Sequence, residues 1–536
     1  MREHREATGL DPRSATVCGA VALLFVAHTV YLACVTEDAF ITFRYAENLI
    51  AGHGFVWNPG ETPVEGYTNF GWLILCAGIL GLGLDLPLAS QVIGVAAGLA
   101  TLLVVYRAGR LLGWSPLFAS APCLMLAVSG PFATWASSGM ETVWFTLWVA
   151  TAVLAHSQFL KNGRSHDAWV TCAALILATL TRPEGVLIAG LVTAASIFAV
   201  LRTESLARPK PLAAVTLTYA AVVLVYVLWR WNYFQYPLPN TFYAKTGGGL
   251  AQAMRGAQYS GLFALHFVSP WLLAMLLPLA LPRDAARKAT RHLLLPLSAT
   301  IVVVYSVYIC AVGGDYMAMY RFFVPILPLL YLLVAAALHR ASESNQSTKN
   351  LALMVAIALG VLGSGFHSTP LESDWVEEPE RMHGNYRGVE TERWYVARHQ
   401  LIGKFFARYG KEGESLATGA IGAVAFYSGL DVYDVHGITD AHIAHKGTAV
   451  GVLGTGLPGH EKSDYPYIFA KRPTFYMFSR KLRSEPLGGI PLLVAEVDEL
   501  VAREYRVGSI FLEDKVNGES GYFSFLERRD RKPGRR

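Results

Sequence analysis

Up to about residue 366, long runs almost free of charge alternate with short polar breaks. Crossing hydrocarbon as a helix takes roughly 20 apolar residues. On that template about eleven spans are predicted, near 15–35, 88–106, 116–131, 141–160, 168–182, 184–201, 211–229, 262–281, 293–312, 323–338 and 350–366. The run 69–84 is apolar too, but counting it as a span puts Arg107 and Arg110 on the side of the acidic loop before it. That conflicts with the positive-inside tendency, so the run reads as a helix lying in the interface.

Beyond about His367 the pattern changes: no run is long enough to span, and charge, Gly and Pro rise. Short runs at 416–420, 431–435, 473–478 and 507–512 read as strands, with 422–428 helical between the first two. The basic end, 528–536, reads as frayed. The expected architecture is an α-helical polytopic membrane protein with a C-terminal extracytoplasmic α/β or α+β domain. A membrane domain would cover 1–366, including a first outer loop at 36–87, and a soluble domain 367–536.

Composition agrees with this pattern. With 53% hydrophobic and only 16% charged residues among 536, and a mean hydropathy of +0.36, the chain is too apolar for a soluble enzyme. A net charge of +5 could suggest nucleic acid, but the Lys and Arg residues lie scattered between apolar runs, where they set membrane orientation instead. They fall on one face, which is therefore cytoplasmic together with the N-terminus, and an odd number of spans puts the tail outside, in a plasma or inner membrane protein. The six cysteines lie in or beside apolar segments and form neither a CxxC site nor a disulfide framework.

Chemistry concentrates in the outer loops. Glu37 and Asp38 stand side by side just after the first span. Adjacent carboxylates repel, so one can be poised to take a proton while the other orients a polar group; two solvated loop acids look the same. Downstream, Phe40, Phe43 and Tyr45 would seat the loop at the interface. His53, Trp57, Glu65, Tyr67 and Asn69 follow in a turn-rich loop. Rings and hydrogen-bonding groups there suit a sugar, as they would also suit an aromatic belt at the interface. Arg182 and Glu184 flank Pro183 between two apolar runs, as a structural ion pair or as substrate contacts. Asn240, Tyr243, Lys245, Asp315, Tyr320 and Arg321 add polar groups on the same face, and a guanidinium there can grip a phosphate or simply snorkel. The tail's Asp431, Asp434, His436, Asp440, His442, His445 and the group from His460 to Lys462 have no tight metal-ligand spacing and read as a groove lining. No Walker loop or dinucleotide fingerprint is present.

The acidic pair, the following Phe-Ile-Thr-Phe-Arg-Tyr-Ala-Glu-Asn-Leu, then Gly-His-Gly-Phe-Val-Trp-Asn-Pro-Gly-Glu and Val-Glu-Gly-Tyr-Thr-Asn resemble the GT-C superfamily of membrane glycosyltransferases. Within it the likeness is to the terminal β-1,2-arabinofuranosyltransferase type. Ser138-Gly139-Met140-Glu141-Thr142, Thr181-Arg182-Pro183-Glu184-Gly185, the segment 239–245 and the segment 314–322 agree; the tail agrees more loosely, through 429–440 and 459–462. The resemblance implies a GT-C fold, a polyprenyl-phosphate-linked sugar donor, a cell-envelope glycan acceptor, membrane lipids as surroundings, and inversion in a single displacement. It implies Asp38 as base with Glu37 beside it, where relatives commonly carry two aspartates. Arg321, Lys245 and Arg182 become candidates for the phosphate, and Arg44, His53, Glu65, Tyr67, Asn69, Glu184, Asn240, Tyr243, Asp315 and His460 candidates for other substrate contacts. Proton removal, charge stabilisation and alignment need no redox cofactor; use of a divalent cation stays open. A lipid or sugar transporter, and a GT-C enzyme for another sugar or a protein acceptor, remain the alternative readings.

Overall fold

The computed structural model describes residues 12–202, 209–268, 293–342, 388–491, 493 and 495–531. Among them, six helices are long and apolar enough to cross a membrane: Pro12–Tyr31, Leu86–Leu111, Thr142–Asn162, Lys210–Phe234, Leu294–Val312 and Ala318–His339. The pair Pro116–Ala127 and Gly130–Ala136, bent by 71°, makes a seventh if it is one broken span. The protein is therefore a multi-pass membrane protein. Its backbone is helical in these runs because lipid offers no partner for an open N–H or C=O.

Apart from the bent pair, the difference from about eleven spans has two sources. The expected spans at 168–182 and 184–201 form the helices Ser165–Thr181 and Gly185–Arg202, of 17 and 18 residues, which Arg182-Pro183-Glu184 keeps apart. The expected span at 262–281 lies mostly, and that at 350–366 wholly, outside the described residues, as does the boundary at 366. The run 69–84 forms Phe70–Gly81, a helix of 12 residues; at about 18 Å it is too short to cross. Burial separates centre from rim: 78% of the Ala318–His339 span is packed inside the protein, against 11% of Lys210–Phe234, whose apolar side chains face outward as lipid demands.

The first loop departs from its expected place. In the helix Ala39–Ile50, Phe40, Phe43 and Tyr45 are buried within the protein instead of seated in the interface. Phe40 packs 5.5 Å from both Phe426 and Tyr427, and Phe43 6.0 Å from Phe426, all on the short C-terminal helix Ala423–Ser428. This loop is the seam between membrane helices and tail.

The tail holds a five-stranded sheet in the order β2-β1-β5-β7-β6. The strands are β1 (Ser415–Thr418), β2 (Asp431–Asp434), β5 (Phe475–Met477), β6 (Tyr505–Asp514) and β7 (Glu519–Arg528), with a separate small ladder of β3 (Thr448–Ala449) and β4 (Lys462–Ser463). β1 runs parallel to both β2 and β5, so Thr418 aligns with Asp434 and Met477 at one common end. β6 and β7 form an antiparallel hairpin that joins the sheet through β5. The helix Val389–Tyr409 packs beneath, with Phe406 5.2 Å from Phe475 and 5.4 Å from Phe525. The end expected to fray does not do so up to Arg531: Arg528 closes β7, and Arg531 pairs with Glu414 (2.8 Å) and Glu527 (2.6 Å).

Candidate active site

Asp38 occupies the N-cap position of Ala39–Ile50, yet its side chain makes no cap hydrogen bond. Instead the carboxylate, 19% exposed, points into a cavity of about 270 Å³. Thr42, Tyr67 and Asn69 line it from the first loop, Glu141, Arg182 and Glu184 from the central helices, and Lys245, Asp315 and Arg321 from the late segments. Leu238 and Phe242, each nearly half exposed, form an apolar lip on one side.

The cations of this cavity are unequally neutralised. Arg182 is held by Glu141 and Glu184, both at 2.7 Å, and Glu141 also accepts from the Asn69 side-chain amide at 2.8 Å. Arg321 pairs through Nε with Asp315 at 2.6 Å, while its Nη1 lies 3.9 Å from Asp38 Oδ2, beyond hydrogen-bond distance. Asp38 and Arg321 therefore face each other without being locked together. The Lys245 ammonium makes no ion pair or hydrogen bond among the described residues, and burial lowers its pKa against the opposing pull of Asp38. It is the cation with most to gain from an incoming anion.

Backbone strain sets the direction of Arg321. Met319 (φ 57°) and Tyr320 (φ 47°) both sit in the left-handed region, a cost of about 1–3 kcal/mol each for such residues. The Trp135 indole N–H holds this bend by donating to the carbonyls of Ala318 (3.1 Å) and Met319 (3.3 Å), and the Tyr320 hydroxyl bonds His266 Nδ1 at 2.7 Å.

Several of the residues marked in the sequence serve other purposes. Glu37 does not line the cavity: its Oε1 accepts the N–H groups of Gly422 (2.8 Å) and Ala423 (3.1 Å), fastening the first loop to the tail. Gly422 has to be glycine there, since a Cβ would stand 2.0 Å from the Glu37 carbonyl oxygen. Arg44 is a strut, donating to the carbonyls of Trp57, Ala425 and Leu430 and to the Asn58 side chain. His53 is exposed on the loop surface, away from the cavity. Glu65 is buried 3.5 Å from Arg230, and burial outweighs that cation to push its pKa up to about 8. Asn240 donates to the carbonyls of Gly437 and Ile438, and Tyr243 packs on His445 at 4.1 Å. His460 stands beside the cavity, its ring 5.7 Å from Tyr316 and 4.8 Å from His436. Glu37, Arg44 and Asn240 share a feature: each bonds backbone of the tail, far along the chain. Conversely Glu141, which orients both Arg182 and Asn69, was not among the expected contacts. Its signal was a lone carboxylate between two apolar runs.

Among the described residues, six or seven candidate crossings carry a charged cavity beside the C-terminal sheet. ArnT from Cupriavidus metallidurans, solved bound to undecaprenyl phosphate, superposes with a TM-score of 0.58 over 97% of this chain and 99% of that one, at 12% identity. The chain has the GT-C fold. The same fold is met in AglB from Archaeoglobus fulgidus, solved with an inhibitory peptide and a dolichol-phosphate, at a TM-score of 0.52, 14% identity, and 95% and 74% coverage. By sequence, the chain is similar to the terminal beta-(1->2)-arabinofuranosyltransferases of Mycobacterium tuberculosis and Corynebacterium glutamicum. It is 25% identical to each, over 49% and 55% of its own length. The matched stretches span less than half of those relatives, 42% and 47%. Residues 385–525 match a family described as a domain of unknown function (DUF8728). The expected resemblance and the GT-C architecture with a C-terminal sheet thus hold.

Proposed function

We propose that the chain is an inverting glycosyltransferase that moves arabinofuranose from a polyprenyl-phosphate carrier to a cell-envelope glycan on the outer side of the membrane. The observation that carries this reading is the meeting of Asp38, Arg321, Lys245 and the loop stretch 66–69 in one cavity with an apolar lip. The carrier's isoprenoid chain enters across Leu238 and Phe242, which leaves its phosphate beside the cations. The acceptor hydroxyl then gives its proton to Asp38 while its oxygen bonds the anomeric carbon. The bond from that carbon to the phosphate oxygen breaks, and its electron pair leaves with the phosphate. Charge grows on the phosphate as this happens, where Arg321 and Lys245 stand preorganised to receive it. Arg182, already neutralised by two carboxylates, serves to hold Glu141 and Asn69 in place.

The names of the two curated relatives support the sugar, and the lipid phosphates of the two GT-C structures support the carrier class. Orientation rests on the helix ends. Lys161 donates to the carbonyl of Leu111 at 3.2 Å, so these basic ends lie together, while Glu141 and Asp38 mark the other end. By the positive-inside rule the first is cytoplasmic and the cavity faces outward.

The test is transfer by the purified chain in detergent from a synthetic polyprenyl-phosphoryl arabinofuranose to an arabinan acceptor. Replacing a positioned base typically costs about two to four orders of magnitude, and Asp38→Asn is expected to lose that much. A stably folded Asp38→Asn working near the unmodified rate would sink the proposal.

A further inference from the structure

A cavity of about 980 Å³, larger than the one of about 270 Å³ beside Arg321, lies in the tail, within the stretch whose family carries no assigned function. Its floor is the common end of the three parallel strands: Thr418 closing β1 with Gly419 beyond it, Val435 and His436 after β2, Phe478 to Arg480 after β5. In open sheets this crevice beyond the carboxyl ends of parallel strands is where ligands bind, because side chains and loops fan apart there. One wall is an aromatic platform on the helix Val389–Tyr409. Two guanidiniums approach the Trp394 ring, Arg398 at 4.9 Å and Arg480 at 5.9 Å, and Arg480 also covers Tyr395 at 4.6 Å. Arg398 is fully buried and fixed by Asp514 at 2.7 Å, and Asn517 donates to the Trp394 carbonyl at 3.2 Å. The platform is thus rigid before any ligand arrives.

A second, much smaller space of about 20 Å³ borders both cavities. It shares Tyr395, Gly419, Ala420 and His460 with the large cavity, and Asp38, Ile41 and Ile438 with the charged one. Its volume admits about one water-sized group. A hydroxyl passes such a neck and a sugar ring does not.

We infer that the large cavity is the acceptor site, holding several residues of a neutral glycan chain so that only its terminal hydroxyl enters the neck and reaches Asp38. This deepens the glycosyltransferase reading and rests on it. Sugar C–H faces stack on Trp394, while His436, Ser479 and Asn517 offer hydrogen bonds. Donor and acceptor then approach Asp38 from opposite sides, as a single inverting displacement needs.

The experiment measures binding without turnover, in the full chain carrying Asp38→Asn, by titrating a linear arabinofuranose oligosaccharide and, separately, a polyprenyl phosphate. Trp394→Ala removes the platform, and Ser479→Trp fills the cavity without touching it; melting temperatures confirm folding. The expected result is at least about tenfold weaker oligosaccharide binding, the equivalent of 1.4 kcal/mol, in both variants, with polyprenyl-phosphate binding unchanged. Unchanged oligosaccharide binding in folded variants, parallel weakening of both ligands, or no oligosaccharide binding before either change would each overturn the inference. Failure of the catalytic reading shows separately, as transfer surviving Asp38→Asn.

Discussion

Two neighbouring carboxylates, Glu37 and Asp38, have been assigned different work, and substituting each by its amide separates them. The Glu37 carboxylate is 7% exposed and accepts two backbone N–H groups at the start of the helix Ala423–Ser428. A hydrogen bond to a charged group contributes about 1.5–3 kcal/mol, so Glu37→Ala, which removes two of them, forfeits about 3–6 kcal/mol of the contact between first loop and tail. The seam does not open fully, because Arg44, Trp57 and Asn58 bond the tail independently. Glu37→Gln keeps an oxygen acceptor and loses only the charge, at about 1–2 kcal/mol. The expected order in a transfer assay is therefore a few-fold loss for Glu37→Gln and a larger one, with a lower melting temperature, for Glu37→Ala. Asp38→Asn should lose about two to four orders of magnitude at an unchanged melting temperature. If Glu37→Gln proved as damaging as Asp38→Asn, Glu37 would be a base and the division of labour drawn from the seam would be wrong.

Other expectations follow from the same geometry. Lys245→Met should raise KM for the lipid-linked donor by about tenfold while leaving acceptor KM alone, since it removes a charged contact to phosphate of roughly 1.5 kcal/mol or more; equal KM for donor would refute its role. Gly422→Ala should lower the melting temperature and the transfer rate together, because its Cβ would meet the Glu37 carbonyl at 2.0 Å; a variant of unchanged stability would show that the seam yields. Glu65, raised by burial from 4.5 to about 8, keeps its proton in the folded protein at pH values where the unfolded chain has lost it. Folding then binds the extra proton, so stability should fall as pH rises through the window between those two values and level off above it. Thermal melts across that range should show the slope, and Glu65→Gln should remove it; a slope that persists in the variant would place its origin elsewhere.

The membrane character, the helical runs of the first part, the change of texture near the start of the tail and the importance of the first loop were all legible in the residue order. These are local properties: a run of apolar side chains has nowhere to go but lipid or core, and a carboxylate stranded beside it must find water or a partner. The central strands of the tail were legible for the same reason, while β7, with polar residues at both ends, carries its burial only through pairing with β6 and β5. What each polar side chain does was a different matter. Arg44 and Asn240 looked like substrate contacts and are spent on backbone carbonyls of the tail, and Glu37 on its amides. Lys245 and Arg182 looked alike as candidates for a phosphate, yet Arg182 is held by two carboxylates and Lys245 stands without an ion-pair partner among the described residues. Spacing along a chain says which groups are present, but the energy of a buried charge depends on what lies within a few ångströms, and here those neighbours come from the far end of the sequence. Only folding decides which carboxylate is bound and which is left to act.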